Sequence, residues 1–273
     1  MIAGFNVRCN VGPVEVLRTP FLEIVYKRRA VLTRSTIEIP DPEGKVRASI
    51  AKDDAMHLRF GYRGETTLWH EWQGTVDSID QPPRQDSGRD AVIVQGIGLE
   101  KTLSTTIVTE SFTSEAASAV AARLLAKTGL AVAGVDIPGD VLPHQVFSGV
   151  TVARAIKQLE ITLSRQFGHD LKKHAAWLGQ NGLRWSADGE PGDVYVIETA
   201  KNLLNHTPPV RPGEMGVVLS VPLPGLIHSM DVRIRDVRRD IVALVRAEEV
   251  RHVISERLGN STAVLYGKEA GWG

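Results

Sequence analysis

Histidine is the residue type that could most readily give this chain acid–base or metal chemistry, and the sequence contains eight histidines. His169 and His174 lie on either side of a predicted helix end, without an acidic residue at the spacing of a zinc-binding helix. His57 and His70 fall on facing strands of a predicted hairpin, where an exposed polar position is the common explanation. Three more are isolated in predicted loops or strands: His206, His228 and His252. We interpret each as a surface or structural histidine, and a site assembled only in three dimensions stays an alternative.

The glycine and carboxylate motifs do not form a site in sequence either. Gly96-Ile97-Gly98 follows a predicted strand but lacks the third glycine of a dinucleotide-binding loop. Asp53-Asp54 and Glu248-Glu249 are adjacent pairs, and adjacent strand residues point to opposite faces. The sequence contains no nucleophile elbow, Walker loop, Cys-x-x-Cys pair or EF-hand. It therefore predicts no catalytic residue, no cofactor-binding residue, no cofactor and no metal ligand, and the chain is not expected to be an enzyme.

Composition excludes several further classes. Lys and Arg together number 32 and so do Asp and Glu, so the basic excess typical of duplex-binding proteins is missing. The single Cys9 alternates with Val7 and Val11 and is interpreted as a buried strand residue. The N-terminus does not resemble a signal peptide, and no apolar run approaches the ~20 residues of a membrane span. We expect a chain made in the cytoplasm without a membrane span.

One hairpin, from Leu58 to Ile79, organises the N-terminal part of the chain. Apolar and polar residues alternate up to Tyr62, Arg63-Gly64-Glu65-Thr66 supplies a turn, and a run rich in β-forming residues returns. Gly74 within this run suggests a bulge or a tight bend of a curved sheet. Trp69 and Trp72 are three residues apart, so one should enter the core while the other faces a partner. The alternative is that a bulge brings both into one core.

The remaining pattern predicts two β-rich ends around an α/β segment. Strands are predicted throughout 5–108, including one at Val46–Ile50, and loops at 40–44 and 81–90. Helices are predicted at Ala116–Lys127, with N-caps offered by Ser111, Thr113 and Ser114, and after Thr151 up to Gly168. Ile137–Gly149 reads as a loop, Asn181-Gly182 as a hairpin turn and Asn205–Gly213 as a linker. Five more strands follow between Val217 and Tyr266, and they would be most stable if they completed or mirrored the N-terminal β-region.

The order of these features resembles the baseplate hub proteins of bacteriophage tails, the late-control-D and Mu-like hub family. That family is related to the N-terminal part of type VI secretion spike proteins. The segments that carry the resemblance are Pro20–Val25, Asp53, Gly61–Gly64, Trp72–Ile79, the helix containing TVARAIKQL, Asn181-Gly182 with LRW, and the C-terminal LPGLIHSMDVRI and VRAEEVRHVISERLGNSTAVLYG, which includes His252.

The resemblance implies a mixed, mainly β fold with two small antiparallel β-barrel-like tube domains and an α/β insertion between them. The corresponding domains are 1–108 for the N-terminal barrel, 109–204 for the insertion, and 205–273 for the C-terminal region that forms or completes a second barrel. Because nothing in the sequence follows Gly273, any needle, OB-fold or lytic domain is expected on a separate chain.

The function implied by the resemblance is structural: a virion baseplate hub, expected as a homotrimer, that joins the tail tube or distal tail proteins to the spike or tail-tip protein. Its channel would pass the genome, and it would be assembled in the bacterial cytoplasm without sequence-specific nucleic-acid binding. Outward-facing Asp231, Arg233 and Arg235 would line the lumen or a subunit contact, or simply form a solvated face. Two other classes stay open: a cell-wall-directed hydrolase with a His/Asp site assembled in space, and a carbohydrate- or peptide-binding module.

Overall fold

The structure is a computed structural model that describes residues 4–30, 32–62, 68–80, 91–211 and 213–267. The predicted turn at 63–66 and loop at 81–90 lie outside the described residues. The chain divides into two compact units. Unit 1 comprises Met1–Lys27, Leu32–Leu99 and Gly192–Gly273, and unit 2 comprises Arg28–Val31 and Glu100–Pro191. The predicted fold class is confirmed: the fold is mainly β, with antiparallel sheets that include a curled half-barrel and with few helices.

The elements are numbered in chain order. The strands are β1 Phe5–Val11, β2 Val14–Val16, β3 Phe21–Lys27, β4 Arg34–Pro40, β5 Ala55–Tyr62, β6 Leu68–Asp80, β7 Ala91–Gly98, β8 Ile107–Ala116, β9 Val132–Asp136, β10 Val141–Thr151, β11 Ala175–Gly179, β12 Gly182–Ser186, β13 Tyr195–Glu198, β14 Leu203–Thr207, β15 Met215–Ser220, β16 Asp231–Asp236, β17 Ile241–Arg246, β18 Glu249–Ser255 and β19 Ser261–Gly267. The helices are α1 Lys45–Ser49, α2 Lys101–Thr105, α3 Ala117–Ala126 and α4 Val152–Phe167, with a 3-10 turn at Val237–Arg239.

Unit 1 is built on an 11-stranded sheet in the order β14-β15-β19-β18-β3-β4-β7-β6-β5-β1-β2. Every neighbouring pair in this order is antiparallel. Strands from the two ends of the chain join where β18 pairs with β3, from Glu249 opposite Lys27 to Ser255 opposite Phe21. Of the two arrangements predicted for the C-terminal strands, completing or mirroring the N-terminal β-region, strands β14, β15, β18 and β19 show the first.

The core of unit 1 follows the alternation read from the sequence. Along β5, Met56, Leu58 and Phe60 are almost completely buried. Trp72 is opposite Leu58 on β6 and is also buried, and its indole Nε1 donates a hydrogen bond to Thr33 Oγ1 at 3.0 Å. Trp69 is on the other face of β6, and it is the Trp72 face alone that enters the core.

Gly74 is required by a close approach within this core. A Cβ atom at Gly74 would overlap the Trp72 ring and the backbone carbonyl of Ile97. The register shift of β6 against β7 lies at Val76 and Ser78 rather than at Gly74. The glycine therefore allows β6, β7 and the indole to pack closely, while the strand irregularity follows it by two residues.

A three-stranded sheet, β13-β16-β17, completes unit 1. Strand β16 is parallel to β13 and antiparallel to β17. The residues on one face, including Val232 and Ile234 of β16, are fully buried and belong to the same hydrophobic cluster as the large sheet. Arg233 and Arg235 lie on the opposite, exposed face, so the predicted alternation of a wet and a dry face is confirmed.

Unit 2 contains the helices α3 and α4, the two-stranded ribbon β8-β10 and the three-stranded sheet β11-β12-β9, which share a separate hydrophobic cluster. Helix α4 begins at the predicted cap, because Thr151 Oγ1 accepts a hydrogen bond from the Arg154 N–H, and it ends at Gly168 with a φ of 76°. The Asn181-Gly182 hairpin is confirmed by the antiparallel pairing of β11 and β12.

Four local predictions were wrong. Ser111, Thr113 and Ser114 are in strand β8, and the predicted loop Ile137–Gly149 contains most of β10. These two strands pair with each other, and Phe112 and Phe147 on them contact edge to face at 5.9 Å. A pairing between segments far apart in sequence overrides the local cap and turn signals.

The other two errors concern short elements. Val46–Ile50 is not a strand: Lys45–Ser49 forms helix α1, whose Val46 and Arg47 N–H groups donate to the Asp41 carboxylate at 3.0 Å each. Part of the predicted linker Asn205–Gly213 belongs to strand β14, which is held by β15 at the end of the large sheet.

Candidate functional site

The exposed side of the three-stranded sheet carries a continuous set of apolar and cationic side chains. We call it the β16 face and define it as Val196, Arg233, Arg235, Val242 and Leu244. The register places Val196, Arg233 and Leu244 in one row across the sheet, and Arg235 beside Val242 in the next row. Val242 is 78% exposed and Leu244 47% exposed, although both are large apolar residues in a strand. Such a face is suited to burial against another protein surface.

Further exposed apolar residues lie along strands at or near a sheet edge. Strand β14 ends the large sheet, and it and its neighbour β15 carry Leu204, Met215 and Val217, each more than a third exposed. In unit 2, Ile107, Val141 and Val146 are at least half exposed on the β8-β10 ribbon. An unpaired strand edge with apolar side chains is a template for pairing with another chain.

Four of the histidines are buried, and two of them lie together in the core of unit 1. The rings of His70 and His252 are 4.5 Å apart between centroids, and Phe60 stacks on His70 at 4.7 Å. His70 Nδ1 accepts a hydrogen bond from the Gly225 N–H at 3.1 Å, and its Nε2 lies 2.6 Å from the Tyr26 hydroxyl. The exposed position predicted for His70 is therefore wrong.

His252 is held by polar contacts on both sides of its ring. Nε2 is 2.8 Å from the Leu226 carbonyl, which can only accept, so Nε2 carries the proton and donates. Nδ1 then accepts from the Thr262 hydroxyl at 2.9 Å. Burial lowers the pKa of His252 to about 4. Burial, and secondly the charge of His252, lowers the pKa of His70 well below its usual value. Both rings are thus neutral structural groups at pH 7.

A second buried group has the order of a catalytic relay. The Asp236 carboxylate accepts from His206 Nδ1 at 2.9 Å, and the Tyr266 hydroxyl lies 2.6 Å from His206 Nε2. Burial raises the pKa of Asp236, but hydrogen bonds from His206 and Arg239 together outweigh that effect and the pKa lies below its usual value. Burial, with the Asp236 charge second, raises the pKa of Tyr266 to about 12.

This relay is enclosed. His206 and Asp236 are at most 1% exposed and Tyr266 is 4% exposed, so all three residues are nearly closed to solvent. The arrangement instead ties strands β14, β16 and β19 together through three side chains. We interpret it as a structural hydrogen-bond network.

His169 and Asp140 form a pair that is more accessible to solvent than the buried His206 and Asp236. Its Nε2 lies 2.6 Å from Asp140 Oδ2, and both side chains are about one-third exposed. Among the described residues, no hydroxyl or thiol hydrogen-bonds to the His169 ring. The described ranges also contain no group of three or more His, Cys, Asp or Glu side chains placed to hold a metal ion. None of the helices in these ranges is both long and apolar enough to cross a membrane.

Strand parity could have identified the histidine cluster. His252 alternates with Val250 and Ile254 and therefore belongs to the buried side of β18. His70 is opposite Phe60 on the hairpin already proposed. What parity could not supply is that β18 pairs with β3, a contact between opposite ends of the chain.

Comparison with known proteins places the fold. No family model matches the sequence, and no curated protein matches it. Among solved structures, the tail protein from Neisseria meningitidis MC58 aligns with a TM-score of 0.67 at 13% identity, over 98% of this chain and 98% of that one. The 43 kDa tail protein of prophage MuSo2 from Shewanella oneidensis aligns with a TM-score of 0.66 at 10% identity, over 96% and 97%.

A secretion protein shares the same fold. The E. coli c3393 protein, a component of the type VI secretion system with structural similarity to the T4 tail proteins gp27 and gp5, aligns with a TM-score of 0.64 at 7% identity. The alignment covers 96% of this chain and 77% of that one. The chain has the fold of phage tail proteins and of this secretion component, and the resemblance expected from the sequence is confirmed at the level of the fold.

Proposed function

We propose that this chain is a structural baseplate hub of a phage tail or of a related injection machine. Three copies form a ring, the ring joins the tail tube to the central spike, and its channel passes the genome. The hub acts through its shape, and it breaks no bond. The observation that carries the proposal is that both tail proteins match over nearly the whole length of each chain.

The surface chemistry of unit 1 supports assembly into a closed ring. The large sheet has open edges at β14 and β2, and the β16 face exposes Val242 and Leu244. A ring buries such surfaces in heterologous contacts without leaving a free edge that could lead to aggregation. The β16 face is our candidate for one of these contacts, and Arg233 and Arg235 would supply its polar part.

Mass measurement tests the ring. Light scattering of the purified full chain should give three times the chain mass of 29.8 kDa, and electron microscopy should show an annulus with threefold symmetry. Changing both Val242 and Leu244 to Asp should lower the mass towards the monomer, because two charges would then have to be buried. Asp is preferred to Lys because Arg235 lies opposite Val242, and two like charges on neighbouring strands would destabilise the monomer itself.

The matched control is Leu258→Asp, which changes an 82% exposed apolar residue outside the strands and should leave the mass unchanged. A chain that stays monomeric at high micromolar concentration and does not associate with tail-tube or spike proteins would contradict the hub proposal. If the wild type forms the ring and the Val242/Leu244 double variant forms it equally well, the ring proposal stands and the β16 face is excluded as a contact.

A further inference from the structure

A pocket of about 380 Å³ lies within unit 2. This volume is within the range of roughly 300–1,000 Å³ that is usual for ligand pockets. Part of its buried lining is aliphatic and consists of side chains that include Leu103, Ile156 and Leu171. The pocket therefore offers a dry surface to an apolar side chain.

Basic side chains make up much of the remaining lining. They are the buried Arg28 and the exposed Arg29, Lys157 and Lys172. Among the described residues, Glu160 is the one carboxylate in the lining, and Lys157 Nζ pairs with it at 2.8 Å. The whole chain carries equal numbers of acidic and basic residues, so this local excess is a property of the pocket and not of the composition.

The four basic side chains differ in exposure. Arg28 is 2% exposed, its Nη2 donates to the carbonyls of Lys173 and Ala187 at 3.2 and 3.0 Å, and its guanidinium lies 5.0 Å from the Trp177 ring centroid. It fixes the wall of the pocket. Arg29, Lys157 and Lys172 are exposed at the surface of the pocket, where their positive charge favours an anionic ligand.

His174 adds a polar atom to the same wall. Its Nδ1 is shielded from solvent and has no hydrogen-bond partner among the described residues. A buried polar atom in this state is unfavourable. A ligand group that hydrogen-bonds to it would remove that penalty.

We propose that this pocket binds an acidic peptide segment of another protein, with an aliphatic side chain against Leu103, Ile156 and Leu171 and carboxylates near Arg29 and Lys172. The inference goes beyond the proposed hub function and does not depend on the ring or the channel. An acidic–aliphatic segment matches both halves of the lining. A phosphate ion or a nucleic-acid backbone would use the cations and leave the aliphatic half without a contact.

A fluorescent peptide tests the proposal with the full-length protein. The probe is a synthetic five-residue peptide with the order Glu, Leu, Asp, Leu, Glu. The control peptide replaces each carboxylate by an amide and has the order Gln, Leu, Asn, Leu, Gln. Polarisation at low salt should show saturable binding of the acidic probe only. Binding should weaken when the salt is raised to about 0.5 M, because exposed ion pairs are screened.

Variants separate this pocket from nonspecific attraction. Lys172→Gln should weaken binding about two- to fivefold, and the addition of Arg29→Gln about tenfold in total, as expected for exposed ion pairs. Arg165→Gln removes an exposed charge from helix α4, which also carries Ile156 and Lys157 of the lining; Arg165 does not line the pocket, so this variant should have no effect. A probe with Ala in place of both Leu residues should bind more weakly than the original.

Three outcomes would overturn the proposal: no saturable binding of the acidic probe, equal weakening by Arg165→Gln and Lys172→Gln, or an Ala probe that binds as well as the Leu probe. Full displacement by inorganic phosphate together with that last outcome would assign the pocket to free anions instead. Loss of ring formation with intact peptide binding would reject the hub and leave this inference in place.

Discussion

At the scale of single residues, the environment of the histidines differs most between the sequence-based prediction and the structure. His70 and His252 are packed against each other and against Phe60, and each is held by a fixed set of hydrogen bonds. Buried polar groups with complete hydrogen bonding specify one arrangement of the core, and they are expensive to disturb. Their role in this chain is to position strands β3, β6 and β18.

Replacing His252 by Ala should lower the free energy of unfolding by about 2–4 kcal/mol, because it leaves a cavity and removes the partner of the buried Leu226 carbonyl. His57→Ala on the half-exposed face of β5 is the control and should change it by less than about 0.5 kcal/mol. Urea denaturation measures both. Equal effects of the two substitutions would show that the ring of His252 is not a packing element.

The same pair gives unit 1 a definite response to acid. The folded-state pKa of His252 is about 4, and burial also lowers the pKa of His70. In the unfolded chain, a histidine has a pKa of about 6.5. Between these values the unfolded chain binds more protons. Stability is therefore fully present above about pH 6.5 and should fall as the pH drops towards 4, by up to about 1.4 kcal/mol per pH unit for each ring.

Comparing variants isolates this contribution from that of the carboxylates. Among the described residues, the titratable side chains beside the two rings include the Tyr26 hydroxyl and, beside Tyr26, the His228 ring, and neither is a carboxylate. His252→Gln should give a shallower fall of unfolding free energy between pH 6.5 and 4.5 than the wild type. Parallel curves would mean that His252 is protonated equally in the folded and unfolded states.

At the scale of elements, close packing of strands matters more than their propensity. Strands β6 and β7 and the Trp72 indole meet where Gly74 leaves no room for a Cβ atom. Bulky and β-branched residues around the glycine predict a strand, and they do not reveal this contact. The contact explains why a residue with poor β-propensity occupies the middle of a 13-residue strand.

Gly74→Ala should destabilise unit 1 by more than about 2 kcal/mol, because the added methyl group must displace an indole or a backbone carbonyl. Gly4→Ala is the matched control, since a Cβ atom there would have no neighbour within 4 Å. Chemical denaturation followed by tryptophan fluorescence reads both. If Gly74→Ala leaves the free energy of unfolding unchanged, β6 can move away from β7 without a loss of stability.

At the scale of the molecule, the two hydrophobic clusters belong to different units. Ile24 and Val218 are fully buried in the cluster of unit 1, and Leu124 is fully buried in the cluster of unit 2. Cooperative unfolding follows a shared core, so separate cores predict separable transitions. The ring of the proposed hub would be made by the strands of unit 1.

Differential scanning calorimetry should resolve two transitions. Leu124→Ala should lower the midpoint temperature of one transition and Ile24→Ala that of the other. Each substitution leaves a cavity in one core and should lower its free energy of unfolding by about 2–5 kcal/mol. A single transition that both substitutions shift equally would show that the two cores unfold as one cooperative body. The predicted domains 1–108, 109–204 and 205–273 stay a prediction.

The sequence by itself determined the local faces of this protein. Alternation along β5 and β16 depends only on neighbours two residues apart, so it indicated which side of each strand is buried. The Thr151 cap, the Gly168 stop and the Asn181-Gly182 turn were readable for the same reason. The order of such elements along the chain also supported the resemblance to tail hub proteins.

Only the tertiary structure decided which strands meet. The pairing of β18 with β3, the ribbon formed by β8 and β10, and the meeting of His70 with His252 join residues that are tens to hundreds of positions apart. Backbone hydrogen bonds are alike in every strand, so local sequence cannot select among distant partners. That selection comes from packing the whole set of buried faces at once, which is also what placed four cations around one aliphatic pocket.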